Sequence, residues 1–168
     1  MADRTIPQAL QQAAAHHQAS RLPEAEAIYH EILARDPSCV GAMHGLGIIA
    51  LQVGRYEVAA NYVGRAAALA PHDSAIHFLL GEACRGLNHL DAAVASYRQA
   101  IALQPNHPDA LNNLGSVLTT QGKVDDAIAS FRQALALRPG SAEVHNNLGN
   151  ALVAQGRPEE ELSLQRGQ

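Results

Sequence analysis

The hydrophobic pattern of the chain is that of amphipathic helices, and it is clearest between Pro108 and Ser141. Apolar and small residues at helical spacing mark one face of a first helix, at Ala110, Leu111, Leu114, Val117 and Leu118. A second run with helical spacing follows, at Val124, Ala127, Ile128, Phe131, Ala134, Leu135 and Leu137. Between the runs, Gly122 can take the left-handed conformation that ends a helix, and Pro139 stops the second run. The pattern therefore predicts a helix–turn–helix hairpin.

This hairpin pattern recurs along the chain at a fixed step. The tetrapeptide NNLG begins at Asn112 and begins again at Asn146, 34 residues later. Three further series keep the same step: Pro37, Pro71, Pro105 and Pro139; Gly47, Gly81, Gly115 and Gly149; and Ala25, Ala59, Ala93 and Ala127. A fixed period in the range of roughly 20–50 residues is typical of solenoids. Because one hairpin cannot bury both of its apolar faces, we expect neighbouring hairpins to stack.

On these residues the chain resembles the tetratricopeptide repeat family. The resemblance is carried by Leu114–Gly115, Ala127, Phe131, Ala134 and Pro139 and by the 34-residue step. It implies an all-α fold, a right-handed superhelical α-solenoid of stacked helix–turn–helix hairpins. We expect a single array over residues 1–168, with repeats at 6–39 (degenerate), 40–73, 74–107, 108–141 and 142–168 (incomplete).

The chain departs from the repeat pattern at a few positions. Val63 replaces the usual aromatic residue, and Asn88 replaces the turn glycine, a mild change because asparagine tolerates the left-handed conformation. The stretch from Ala9 to Ala19 lacks the Leu–Gly pair, so the sequence leaves open whether it folds. Glu161 and Gln165 stand at the small and aromatic positions of the last second helix, which is predicted to pack poorly and fray. Either the chain is a piece of something longer, or that helix is weak.

Composition narrows the class of partner and the compartment. The formal net charge is −4, and Lys123 is the one lysine, which disfavours binding to nucleic acid. The N-terminal residues contain no long apolar run, so neither a signal peptide nor a membrane span is predicted. Cys39 and Cys84 fall at unlike places in the repeat and are predicted to be unpaired thiols in a reducing compartment. A cytoplasmic location follows.

The nine histidines do not form a recognisable site for metal or catalysis. HExxH and CxxC motifs are absent, and the adjacent His16 and His17 point in different directions on a helix. His77 and His145 share a repeat position at which the family often has a large packing residue. We therefore expect no enzyme activity, no cofactor and no metal.

The resemblance implies a concave groove lined by exposed positions of each first helix. The candidate groove residues are His44, Ile48, Leu51, Phe78, Leu79, Glu82, Arg85, Asn112, Asn113, Ser116, Asn146, Asn147 and Asn150. The paired asparagines offer amides that can hold the backbone of an extended peptide, although solvated helix residues are an equal alternative. The apolar candidates form either a patch for a partner's side chains or a contact with the preceding helix. They are Ile48, Leu51, Phe78 and Leu79.

One asparagine of each pair occupies the position of a peptide-binding asparagine ladder in protein O-linked N-acetylglucosamine transferases. The same register here reads Gln11, Gly45, Leu79, Asn113 and Asn147, so the ladder is partial.

The function predicted from these features is a non-catalytic protein–protein interaction module or scaffold. It would bind an extended peptide or a helix of a protein partner in the groove, and it would bind neither nucleic acid nor membrane. One alternative is the N-terminal substrate-recruiting region of a larger glycosyltransferase-like enzyme. The other is a scaffold that forms homo-oligomers through its uncapped terminal repeat.

Overall fold

The computed structural model describes residues 4–156, and within that range the chain forms nine α-helices and no strand. The first helices of the predicted hairpins are α1, α3, α5, α7 and α9, and their starts keep the 34-residue step. The nine helices are α1 (Ile6–Gln18), α2 (Leu22–Arg35), α3 (Val40–Gln52), α4 (Tyr56–Leu69), α5 (Ser74–Gly86), α6 (Leu90–Leu103), α7 (Pro108–Thr120), α8 (Val124–Leu137) and α9 (Ala142–Ala154). The frayed helix predicted around Glu161 and Gln165 lies outside the described residues.

The turn between the helices of a hairpin depends on one residue with positive φ. Gly54 and Gly122 have φ values of 73° and 74°, a conformation that costs glycine nothing, and Gly156, which follows α9, has a φ of 78°. Asn88 takes the same position with a φ of 58°, which confirms the prediction that asparagine replaces the turn glycine. Ser20 does so in the first hairpin, with a φ of 57°.

The helices group into two compact units, Met1–Asn88 and His89–Gln168. In unit 1, each of α1 to α4 packs against the helix that follows it, and α3 also contacts α1 and α5. In unit 2, each of α6 to α8 packs against the helix that follows it, and α7 also contacts α9. Within each unit, therefore, the first helices lie beside one another and share a face.

Small residues in unit 1 make room for larger side chains of the second helices. A Cβ at Gly47 would overlap Cγ2 of Val63, and Val63 is fully buried. Val63 therefore packs in the core against Gly47, at the repeat position where an aromatic residue is usual. Helix α1 is folded, with Ala9 and Ala13 buried in a cluster with residues of α2 and α3. This result answers the question that the sequence left open for the first half-repeat.

The core of unit 2 confirms the importance of the small residue at position 115. A Cβ at Gly115 would lie 2.6 Å from Cε1 of Phe131, so the glycine makes room for the aromatic ring. Four of the apolar positions predicted for α8 are buried there: Ala127, Ile128, Phe131 and Ala134. The prediction for Leu137 is wrong, since this side chain is 41 % exposed. Leu137 comes six residues after Phe131, which places it about 120° away around the helix axis, outside the packed face.

Candidate functional site

The candidate binding residues all lie on first helices, as their register predicts. In unit 1 they belong to α3 and α5, and in unit 2 to α7 and α9. The two sets have different chemistry, because the first is mostly apolar and the second consists of amide and hydroxyl side chains.

In unit 1, a pocket of about 550 Å³ opens between α1 and α3. We call it the α1–α3 pocket. Two of the predicted groove residues, His44 and Ile48, line it. The full lining is Ala14, His17, Gln18, Ser20, Tyr29, Gly41, His44, Gly45, Ile48 and Gln52.

Two glycines of α3, Gly41 and Gly45, line the pocket and let side chains of α1 and α2 pack close to this helix. A Cβ at Gly45 would overlap the ring of Tyr29, so the missing side chain is what allows Tyr29 to reach this surface from α2. Gly41 lies one turn earlier, and residues four apart share a helix face. Tyr29 itself is 5 % exposed, and burial raises the pKa of its hydroxyl. Gly45 is buried under this ring, and the Cβ position of Gly41 lies 3.3 Å from Leu10, so side chains of α1 and α2 cover this face of α3.

The polar groups of the pocket differ in what they bind. At its edge, His17 Nε2 lies 2.9 Å from Gln52 Oε1, which joins α1 to α3. The pKa of His44 is lowered by burial, an effect that the charge of Asp73 partly opposes. Within residues 4–156, neither the Tyr29 hydroxyl nor the His44 ring forms a hydrogen bond. These two groups, together with the exposed side chains of Gln18 and Ser20, can therefore bond to a molecule that enters the pocket.

The remaining candidates of unit 1 are held by their own fold to different degrees. Leu51 packs against the buried Ala50, Ala59 and Ala83, and Leu79 packs against the cluster around Val63. Both side chains therefore contact neighbouring helices of the same chain. Phe78 is half-buried on α5. On the same helix, Arg85 Nη2 donates to Glu82 Oε2 over 2.9 Å.

In unit 2, the candidate asparagines form a hydrogen-bonded network between α7 and α9. Asn112 Nδ2 donates to Glu143 Oε1 over 2.8 Å and more weakly to Asn113 Oδ1 over 3.4 Å. Asn147 Nδ2 donates to Asn112 Oδ1 over 2.9 Å. Both hydrogens and the oxygen of the Asn112 amide are thereby engaged, and this side chain links two repeats.

The burial of these residues separates their roles. Asn112 is 5 % exposed, whereas the prediction placed it on the binding face. Asn113, Asn147 and Ser116 are half-buried, and Ser116 Oγ donates to the backbone oxygen of Asn112. Asn146 and Asn150 are exposed.

Two of the histidines fasten the loops between repeats. His77 Nε2 lies 2.9 Å from the backbone oxygen of Pro71, and His145 Nε2 lies 2.8 Å from that of Pro139. The packing role predicted for this repeat position therefore includes a hydrogen bond to the preceding loop. In the part of the chain that the structure describes, no group of His, Cys, Asp or Glu side chains could hold a metal ion.

The two cysteines are free thiols in unit 1. Cys84 is buried, and burial raises the pKa of its thiol. Among residues 4–156, no helix has the length and apolarity needed to cross a bilayer.

Solved structures with the same fold are numerous. The chain superimposes on a crystal structure of the MamA protein with a TM-score of 0.88, at 22 % identity over 94 % of this chain and 86 % of the other. For MamA AMB-1 the TM-score is 0.82 at 26 % identity, again over 94 % and 86 %. YrrB, described as a TPR protein with an unusual peptide-binding site, gives a TM-score of 0.84 at 23 % identity over 96 % and 82 %. These likenesses confirm the all-α solenoid fold. The comparison with curated protein sequences gives no match.

Family models match most of the sequence. Two models described as tetratricopeptide repeat cover residues 10–67, 85–141 and 118–167 in one case and residues 50–112 in the other. The chain belongs to the tetratricopeptide repeat family.

Proposed function

We propose that the protein is a non-catalytic interaction module that binds an extended segment of a partner protein along the shared faces of its first helices. The binding surfaces are the α1–α3 pocket in unit 1 and the face of Asn113 and Asn147 in unit 2.

The observation that carries this proposal is the way in which Asn147 is held. One hydrogen of its amide goes to Asn112, and its oxygen and second hydrogen have no partner among residues 4–156. An extended peptide presents one donor and one acceptor per residue, so an amide with one of each can bind its backbone without regard to side chains. Because Asn112 and Glu143 fix the amide in advance, less conformational entropy is lost on binding.

The α1–α3 pocket supports the same role, because it can bind a side chain of the partner segment. Backbone contacts give affinity, and pockets for individual side chains give specificity. The pocket is large enough for one side chain, and it keeps the Tyr29 hydroxyl and the His44 ring available.

The comparisons add support at the level of the family. One structural neighbour, YrrB, is described as having a peptide-binding site. The proposed partner of this chain is likewise a protein or peptide. The likeness to the asparagine ladder of O-linked N-acetylglucosamine transferases stays a prediction, and so do the cytoplasmic location and the exclusion of nucleic acid and membranes.

The test is an unbiased peptide library screened against the full chain. Peptides that bind are then measured against Asn113→Ala/Asn147→Ala and Ile48→Ala variants by isothermal titration calorimetry. Asn106→Ala is the matched control, since Asn106 is an exposed loop residue of unit 2.

We expect the double variant to lose one hydrogen bond at each position, and each to cost about 0.5–1.5 kcal/mol, which weakens binding by roughly 5- to 150-fold in total. The control variant should bind as the parent does. A library without binders would contradict the proposed function. Unchanged affinity in both groove variants, each with the parent's circular dichroism spectrum, would contradict the assignment of the surface.

A further inference from the structure

From the α1–α3 pocket we infer that this module selects a tyrosine side chain in the segment it binds. The inference rests on the proposed function and names the side chain that the pocket recognises. It draws on the charge, shape and hydrogen-bonding capacity of the lining.

The lining favours an uncharged guest. None of the described residues that line the α1–α3 pocket is an aspartate, glutamate, lysine or arginine. Burial holds His44 in its neutral form at pH 7, because its pKa is lowered. A charged side chain would lose its hydration there without meeting an opposite charge, which is costly.

The walls favour a flat apolar body. The ring of Tyr29 covers Gly45 on one face of α3, and Ile48 lies one turn further along, so apolar side-chain surface lines this wall. Aromatic rings pack well against such a surface and against one another in offset or edge-to-face geometry. The volume of about 550 Å³ accommodates an aromatic side chain with room for its approach.

The unbonded Tyr29 hydroxyl and His44 ring, which are the less exposed of the unbonded polar groups in the lining, then favour a hydroxyl at the tip of the ring. A neutral imidazole offers one donor and one acceptor, and so does the Tyr29 hydroxyl. A phenol can donate to one of these groups and accept from the other, whereas an indole can only donate and a phenyl ring can do neither. Tyrosine is therefore the aromatic side chain whose chemistry matches the pocket.

The experiment titrates the isotope-labelled full chain with single amino acid amides and follows the protein by NMR. The probes are N-acetyl-tyrosine amide and its phenylalanine, leucine and phosphotyrosine counterparts. We expect the tyrosine probe to shift the signals of Gly41, His44 and Gly45 and to bind about three- to tenfold more tightly than the phenylalanine probe. The phosphotyrosine probe should bind more weakly than tyrosine.

Equal binding of tyrosine and phenylalanine would overturn the inference. Preference for phosphotyrosine, or no shift at the pocket up to the solubility limit of the tyrosine probe, would do the same.

Variants connect the pocket to these shifts. Ala14→Phe fills the pocket from its lining and should abolish tyrosine binding, whereas Ala15→Phe places the same ring at the exposed neighbouring position and should not. Tyr29→Phe removes the hydroxyl but keeps the buried ring, so it should reduce the preference for tyrosine over phenylalanine without unfolding α2. Tyr62→Phe, in the same unit but outside the pocket lining, is its control.

The inference and the proposed function can fail separately. If library peptides bind the parent and the folded Ala14→Phe variant with equal affinity, the pocket has no part in recognition and the interaction module stands. If no peptide binds while the tyrosine probe still shifts the pocket, the proposed function fails and the pocket assignment survives.

Discussion

The space beside Gly115 gives the sharpest test of how a hairpin is packed, through the pair of variants Gly115→Ala and Gly64→Ala. Both glycines lie inside helices, and alanine in a helix is more favourable than glycine by about 1 kcal/mol. At Gly64 an added Cβ meets no atom within 4 Å. We therefore expect Gly64→Ala to raise the free energy of unfolding by about 1 kcal/mol.

At Gly115 the same methyl group meets the ring of Phe131. Three ring atoms lie 2.6–2.8 Å from the Cβ position, and Phe131 is 1 % exposed, so the ring has little room to withdraw. Overpacking of this kind costs about 1–3 kcal/mol, which offsets or exceeds the gain in helix propensity. We expect Gly115→Ala to lower the free energy of unfolding by about 0–2 kcal/mol.

The assay is urea unfolding followed by far-ultraviolet circular dichroism for the parent and both single variants. A double-mutant cycle with Phe131→Leu completes it, since this substitution removes the ring that the methyl group meets. We expect Phe131→Leu to cost at least about 0.5 kcal/mol less in the Gly115→Ala background than in the parent. Equal stabilisation by both alanine variants, or no coupling in the cycle, would refute the reasoning.

Three further substitutions test other parts of the structure. Asn112→Ala leaves Glu143 and Asn147 without their shared partner and should lower the free energy of unfolding by about 1–3 kcal/mol. The substitution Asn146→Ala, at an exposed position, should change it by less than about 0.5 kcal/mol. Thermal melts compare the two variants, and equal melting temperatures would contradict the buried network. His145→Leu removes the hydrogen bond to the Pro139 oxygen, so it should lower the free energy of unfolding by about 0.5–1.5 kcal/mol and speed amide hydrogen exchange in the preceding loop. Unchanged exchange would show that the loop does not depend on this bond. The pKa of His44 is lowered on folding, so its contribution to stability is complete above the ordinary value of 6.5 and is lost as the pH falls through the lower folded value. The His44→Gln variant should therefore lose less stability between pH 7 and pH 5 than the parent. Equal losses, measured by urea unfolding at each pH, would contradict the buried neutral form.

The helices and their buried faces could be predicted from the sequence because both follow from local rules. The spacing of Leu111, Leu114 and Leu118 matches the helical period, and all three are buried. The positive φ at Gly122 and Asn88 follows from the residue types that tolerate it. Leu137 is an exception to the rule of helical spacing. It belongs to the apolar run in the sequence, but it lies outside the packed face of the helix and is exposed.

The binding surfaces depend on contacts between repeats, which the sequence pattern does not give. Asn112 bonds to residues 31 and 35 positions away, and only the packing of α9 on α7 brings them together. Gly45 interrupts the partial ladder of asparagines in the sequence, and in the structure its missing side chain makes room for the ring of Tyr29. Gly41 and Gly45 of α3, four residues apart, are the signal in the sequence that could have indicated the α1–α3 pocket.

The measurement that tests the central claim most directly is NMR mapping of a library-selected peptide on the isotope-labelled chain. Binding along the first helices predicts the largest shifts at Gly45 and Ile48 in unit 1 or at Asn113 and Asn147 in unit 2, with the second helices nearly unchanged. Shifts concentrated on exposed residues of α2, α4, α6 or α8 would contradict the account.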